Sequence, residues 1–194
     1  MNQMNQSSST HRWALITGAS TGIGRACAIK LSQAGINVYL TGRNSDRLAE
    51  VQKSCLQYGV EALMMAGDIG NSNFVKELCK WSEKANILVN NAGTLTYAPI
   101  LEVTTQECQT MFDVNVVAAF DVARSKAEQM KASGGGHLIF ITSMSARNVN
   151  QHAVVYAATK HALSALARGF RLELKKDGIK VSEIAPGMVD TDMR

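Results

Sequence analysis

Cysteine and histidine are scarce, and neither set is clustered. Cys27, Cys55, Cys79 and Cys108 lie far apart with no Cys-x-x-Cys pair, which argues against zinc-ribbon or thioredoxin-type chemistry. They read as reduced thiols of a cytoplasmic protein. His11, His137, His152 and His161 form no ligand-spaced group, so no metal is expected. No apolar run approaches the roughly 20 residues that a membrane helix needs, so no membrane partner is expected. The formal net charge is a mild +4 and, apart from Lys175-Lys176, the basic residues are scattered. That excludes a nucleic-acid stripe. Residues 1–11 are polar, rich in Asn, Gln and Ser, and lack the apolar centre of a signal peptide or anchor. They are expected to be a disordered lead-in to one domain spanning 12–194.

What remains is a chain of ordinary globular composition, with 46% hydrophobic and 19% charged residues, long enough to bury one sizeable core. Its apolar runs of strand length alternate with helical patterns. Trp13–Thr17, Asn37–Thr41, Glu61–Ala66, Ile87–Asn90, His137–Ile141 and Lys180–Ile184 read as six strands. Helical stretches run over 25–34, from Ser45 as cap towards Gly59, over 71–85, over 104–131 and from Ala153 onwards. Strands alternating with helices predict an α/β domain: a doubly wound parallel sheet with helices on both faces and right-handed crossovers. No internal repeat or second domain is visible.

The motifs fall at strand ends. Gly18-Ala-Ser-Thr-Gly22-Ile-Gly24 follows the first strand and opens a helix, the arrangement in which backbone N–H groups face a phosphate. Its spacing is a variant of the dinucleotide fingerprint, and it lacks the Gly-Lys-Ser/Thr ending of a nucleoside triphosphatase loop. After the second strand, Gly42 stands where an acidic residue would bind a ribose 2′-hydroxyl, and Arg43 follows. That favours NADP over NAD, the alternative being a solvated loop cation. Asp68 ends the third strand and either accepts from an adenine amino group or caps the next helix. Asn90-Asn91-Ala92-Gly93 ends the fourth, and its two amides need partners from neighbouring backbone or a ligand. Asn115 sits inside a helical pattern, a poor place for asparagine unless its amide bonds something specific, so a kink or a bound water is expected there.

Tyr156 and Lys160, four residues apart at the start of a helix, share one face. An ammonium beside a phenol favours phenolate and draws its pKa of about 10 towards neutrality. Such a tyrosine exchanges protons at physiological pH. The plainer alternative is an amphipathic helix with a half-buried tyrosine and a solvated lysine.

Taken together, Thr17-Gly18-x-x-x-Gly22-x-Gly24, Asp68, Asn90-Asn91-Ala92-Gly93, Asn115, Ser143, Tyr156-x-x-x-Lys160 and Pro186-Gly187 with Thr191 resemble the short-chain dehydrogenase/reductase family in its compact single-domain form. The resemblance covers the chain from Trp13 onwards and implies a Rossmann-like sheet of order 3-2-1-4-5-6. It also implies roles. Tyr156 is the general acid in carbonyl reduction and the general base in alcohol oxidation. Lys160 lowers the phenol's pKa and bonds the nicotinamide ribose, Ser143 holds the substrate oxygen, and Asn115 fixes a water that links Lys160 to solvent. Ser145 is the rival hydroxyl. Gly18, Ser20, Thr21, Gly22, Ile23 and Gly24 surround the pyrophosphate side of the cofactor, with Arg43, Asp68 and Ile69 on the adenosine side. Asn90, Asn91, Ala92, Gly93, Tyr156, Lys160, Pro186, Gly187, Val189 and Thr191 complete the cofactor set.

Thr21 stands where many NADP-using members carry a basic residue. The chain also stops after Thr191-Asp192-Met193-Arg194, whereas members of the family continue into a substrate-covering segment and a seventh strand; a C-terminal truncation is therefore expected. The implied activity is an NADP(H)-dependent interconversion of a carbonyl and a secondary alcohol by a Ser-Tyr-Lys-Asn relay. Alternatives are a nucleotide-binding, redox-responsive module without turnover, and a dehydratase or epimerase on the same fold. Small residues along the helices of Asn115 and Tyr156 (Ala118, Ala119, Ala157, Ala158, Ala162, Ala165) allow close packing, and similar proteins pair there. A homodimer or homotetramer is expected.

Overall fold

Parallel strands buried on both faces are short, nearly continuous apolar runs, and every run singled out in the sequence forms one. The computed structural model describes residues 12–189. Among them six strands, β1 (Trp13–Thr17), β2 (Asn37–Gly42), β3 (Ala62–Ala66), β4 (Ile87–Asn90), β5 (Gly136–Ile141) and β6 (Ile179–Ile184), form one all-parallel sheet of order β3-β2-β1-β4-β5-β6. The order reverses beside β1, so the crevice between the carboxyl ends of β1 and β4 is where this topology accepts a ligand. Six α-helices connect the strands: α1 (Gly22–Gln33), α2 (Ser45–Leu56), α3 (Ser72–Trp81), α4 (Thr105–Phe112), α5 (Ala119–Ala132) and α6 (Val154–Leu174). A π-helical segment, Asp113–Ala118, joins α4 to α5.

Side-chain alternation divides the core in two. Ala14 and Ile16 of β1 face α1 and α2 with Ala28, Val38, Leu40, Leu48 and Val51. Trp13 and Leu15 face α3, α5 and α6 with Leu78, Val122, Met130, Phe140 and Leu163. Each fully buried Leu, Ile or Phe contributes about 1.5–3 kcal/mol of apolar transfer, so both layers hold the sheet in place. Trp13, Tyr39 and Trp81 stack at centroid separations of 4.5 and 4.8 Å at the edge of the second layer.

The helix ends differ in places from the sequence expectation. α1 begins at Gly22, not after the glycines, so Gly22 to Gly24 form its first turn. The cap of α2 is Asn44, whose side chain accepts from Arg47 N at 2.9 Å, and Ser45 is the first helical residue. Asn71 caps α3, which removes the capping alternative for Asp68. Lys126 of α5 is fully buried: its ammonium donates to the carbonyls of Cys79 (3.1 Å) and Ser82 and to Gln129 Oε1 (2.8 Å), closing the C-terminal end of α3. Burial lowers its pKa to about 8. No helix among the described residues is long and apolar enough to cross a membrane.

Candidate active site

A cleft of about 260 Å³ opens at the carboxyl ends of the strands. Gly18, Ser20, Thr21, Gly22 and Ile23 line it from the β1–α1 turn. Arg43 follows β2, Asp68 and Ile69 follow β3, and Asn91, Ala92 and Gly93 follow β4. The structure thus brings together eleven of the residues expected at the cofactor. Tyr156, Lys160, Pro186, Gly187 and Val189 are not among its lining residues, and neither are Asn90 and Gly24. Asn90 is buried, its amide donating to Ala119 O at 2.7 Å, and Gly24 packs beneath the turn. A Cβ on Gly24 would overlap the Gly18 carbonyl oxygen, so only glycine lets α1 approach β1 this closely. Gly18 itself has φ 64°, in the left-handed region.

Thr17 holds the two central turns together. Its hydroxyl accepts from Asn91 N and Ala92 N, both at 3.0 Å, while Asn91 Nδ2 donates to Thr17 O (2.9 Å) and Gly18 O (3.2 Å). Both amides of the Asn90-Asn91 pair therefore find backbone partners. Asp68 Oδ1 accepts from Gly70 N at 2.9 Å, which fixes its carboxylate at the β3 edge of the cleft. α2, α3 and α4 carry side-chain caps from Asn44, Asn71 and Thr104, but α1 has none and no acidic residue in its first turn. Its N–H groups at the mouth of a glycine cradle suit a phosphate, and the cleft residues fit a nicotinamide dinucleotide.

Beyond Gly93 lies a second cluster. An added Cβ at Gly93 would stand 3.2 Å from Asn115 Oδ1 and 3.6 Å from Lys160 Nζ, so the cleft floor meets both residues. Lys160 is buried, its ammonium bonded to Ile141 O at 3.2 Å and 5.5 Å from the centroid of the Tyr156 ring. Burial lowers its pKa to about 8. The Tyr156 phenol moves the other way from the sequence expectation: burial pushes its pKa up, and a hydrogen bond with Ser143 opposes the rise. Burial is the larger cause, and the Lys160 ammonium lies over the ring and bonds the Ile141 carbonyl. The hydroxyl that acts on the Tyr156 pKa is that of Ser143, whereas Ser145 gives its backbone N–H to Ser143 Oγ at 3.0 Å.

The kink expected at Asn115 is the π-helical segment. Its side chain bonds Thr94 twice, Oδ1 accepting from Thr94 N (2.7 Å) and Nδ2 donating to Thr94 O (2.9 Å), and also donates to Thr159 Oγ1 (3.0 Å). Pro186 O accepts from Met144 N at 2.9 Å, bringing the loop of Gly187 and Val189 beside Ser143; Thr191 lies outside the described residues. Sequence reasoning placed Thr17 in the glycine motif without a role and missed Thr94 and Thr159; the roles of all three appear only as long-range hydrogen bonds. Among the described residues no group of three or more His, Cys, Asp or Glu is placed to hold a metal ion.

The chain belongs to the short chain dehydrogenase family, matched over residues 12–194, and is an NAD(P)-dependent oxidoreductase of that family. It is 36% identical to an uncharacterized oxidoreductase of Staphylococcus aureus (strain N315) over 186 residues, 94% of this chain and 80% of that protein. The fold is similar to that of acetoin dehydrogenase from Salmonella typhimurium, with TM-score 0.89 and 32% identity over 95% of this chain and 75% of that one. It is also similar to L-sorbose reductase from Gluconobacter frateurii, solved with NADPH and L-sorbose: TM-score 0.90 and 34% identity, covering 93% of this chain and 71% of that one.

Proposed function

We propose that this protein uses NADP(H) to interconvert a carbonyl and a secondary alcohol, with Asn115, Ser143, Tyr156 and Lys160 as its proton-handling group. The observation that carries this reading is Tyr156 near enough to Ser143 for that hydroxyl to lower its pKa, with the Lys160 ammonium 5.5 Å from the Tyr156 ring centroid and beneath Gly93 at the floor of the cleft. When bound, the nicotinamide supplies or accepts the hydride at the substrate carbon. The chain does the rest. Ser143 Oγ donates to the substrate oxygen, where negative charge develops during reduction, and Tyr156 passes its phenolic proton to that oxygen. With its pKa pushed up, Tyr156 keeps that proton at neutral pH and serves as an acid. Lys160, already desolvated, adds positive charge beside the phenol and donates to the nicotinamide ribose, favouring the phenolate needed for oxidation. Asn115 holds Thr94 and Thr159 in place, and a water at the π-helical turn would link Lys160 to solvent.

Gly18, Ser20, Thr21, Gly22 and Ile23 with the start of α1 take the pyrophosphate; Gly24 supports them from below. Asp68 and Ile69 take the adenine, and Asn91 to Gly93 with Pro186, Gly187 and Val189 take the nicotinamide side. Arg43, on the cleft wall beside the carboxylate-free Gly42, pairs with a 2′-phosphate and makes NADP the preferred form. An apolar groove between α5 and α6, lined by Phe120, Leu166, Gly169 and Phe170, supports pairing of two copies into a homodimer or homotetramer. The four free thiols fit a cytoplasmic protein. Tyr156→Phe should abolish turnover of every carbonyl substrate while NADPH binding, followed by fluorescence, is retained; residual activity near that of the parent would remove Tyr156 as the acid.

A further inference from the structure

Two loops meet beside the segment of Ser143, and their exposed side chains include a set of apolar ones. Ala98 N donates to His152 O at 2.8 Å, joining the loop after β4 to the loop before α6, and Tyr97 packs on the His152 ring at 5.4 Å between centroids. His152 holds φ 63°, a left-handed conformation rare outside glycine that keeps the carbonyl aimed at Ala98. Around this clasp the chain exposes Tyr97 (65%), Ile100 (51%), Leu101 (97%), Met144 (42%), Val149 (61%) and Val154 (38%). Met144 directly follows Ser143, and Val154 lies two residues before Tyr156. The same stretches, residues 92–104 and 143–155, hold only Glu102 and Arg147 as permanent charges.

Scattered surface apolar residues are ordinary, but here two of them adjoin the Ser143 and Tyr156 hydroxyls in the chain, and the two loops are joined by a strained backbone clasp. A ketose or keto acid needs paired donors or a fixed cation around its body; these stretches also expose Asn148, Asn150 and Gln151, but the exposed residues next to Ser143 and Tyr156 in the chain, Met144 and Val154, are apolar. Resting on the carbonyl-reducing reading above, we infer that the substrate is an apolar-bodied ketone or secondary alcohol whose hydrocarbon part lies against Leu101, Val149 and Met144. Tyr97 and His152 position that wall.

The test is a set of methyl ketones from 2-butanone to 2-octanone, with 2,3-butanedione as a small reactive control and L-sorbose as the polar comparator, each followed by NADPH oxidation in the full chain. The specificity constant kcat/KM should rise about fourfold for each added methylene over the first steps, the factor expected when a CH₂ leaves water for an apolar wall. Val149→Asn and Leu101→Asn should each lower kcat/KM for 2-octanone about tenfold more than for 2-butanone. Turnover of butanedione with a flat series, a preference for L-sorbose, or equal losses across chain lengths in both variants would overturn the inference and leave the oxidoreductase reading intact. No oxidation of NADPH with any of these carbonyls would remove that reading, and the substrate class with it.

Discussion

Thr17→Val tests whether the cleft is held by one buried hydroxyl. The substitution keeps the shape of a side chain that is wholly out of solvent and adds apolar surface. On transfer grounds alone it should stabilise. The hydroxyl, however, accepts from the N–H groups of Asn91 and Ala92 at 3.0 Å each, and valine leaves both donors unpartnered. An unsatisfied buried donor costs about 1–3 kcal/mol. Because these two amides are half-buried, the lower part of that range applies, and Thr17→Val should lose about 2–4 kcal/mol. For a chain of this size that corresponds to a Tm lower by on the order of 10 °C. Thr17→Ser keeps the acceptor and forfeits one methyl, costing about 1 kcal/mol. The discriminating result is the order of the two variants in urea denaturation. Serine should be more stable than valine, the reverse of what burial predicts, and NADPH affinity should follow the same order. A valine variant as stable as the serine variant would refute the claim that this hydroxyl ties β1 to β4.

Three further outcomes follow from the structure. Gly24→Ala should drive α1 away from the Gly18 carbonyl and weaken NADPH binding at least tenfold by fluorescence titration; unchanged affinity would mean the turn yields without cost. Arg43→Ala should weaken NADPH binding roughly 10- to 100-fold and leave NADH nearly untouched, the loss expected for a charge-assisted phosphate contact. Lys126 titrates at about 8 in the folded chain and 10.5 as its reference, so between these pH values the unfolded chain binds the extra proton and stability rises with pH. The unfolding free energy of the wild type relative to Lys126→Met should therefore grow across that window, by roughly 3 kcal/mol at most. A difference that stays constant with pH would show that Lys126 keeps its proton when buried.

The sheet was legible because parallel strands announce themselves: β1 and β4 form over the very runs 13–17 and 87–90, and the others differ by a residue at one end. The glycine turn, Arg43 and the Ser143, Tyr156, Lys160 group were legible because each follows a strand end or opens a helix, where this topology places its ligands. Thr17 and Thr159 were not, since a threonine's local sequence says nothing of an amide 74 or 44 residues away. The direction of the Tyr156 pKa was misjudged for a related reason. Helical spacing gives the proximity of Lys160, but the depth of burial and the lysine's bond to Ile141 O come from tertiary packing. Lys126 is similar: a charged residue in an amphipathic pattern reads as solvated, and only the carbonyls at the end of α3 explain its place inside.

The π-helical segment between α4 and α5 takes one residue more per turn than an α-helix, which advances the helix face by roughly 100°. Thr110 before it and Val114 near its start look into the cleft; after it, Phe120 and Arg124 look into the groove against α6. One rod thus serves two sites that a regular helix would have set in a different phase. Removing a single residue within 113–118 would restore regular winding, yet it would swing either the Asn115 side of the cleft or the Phe120 side of the groove out of alignment. The segment works as a mechanical phase-shifter, so point insertions and deletions there should be far less tolerated than side-chain exchanges.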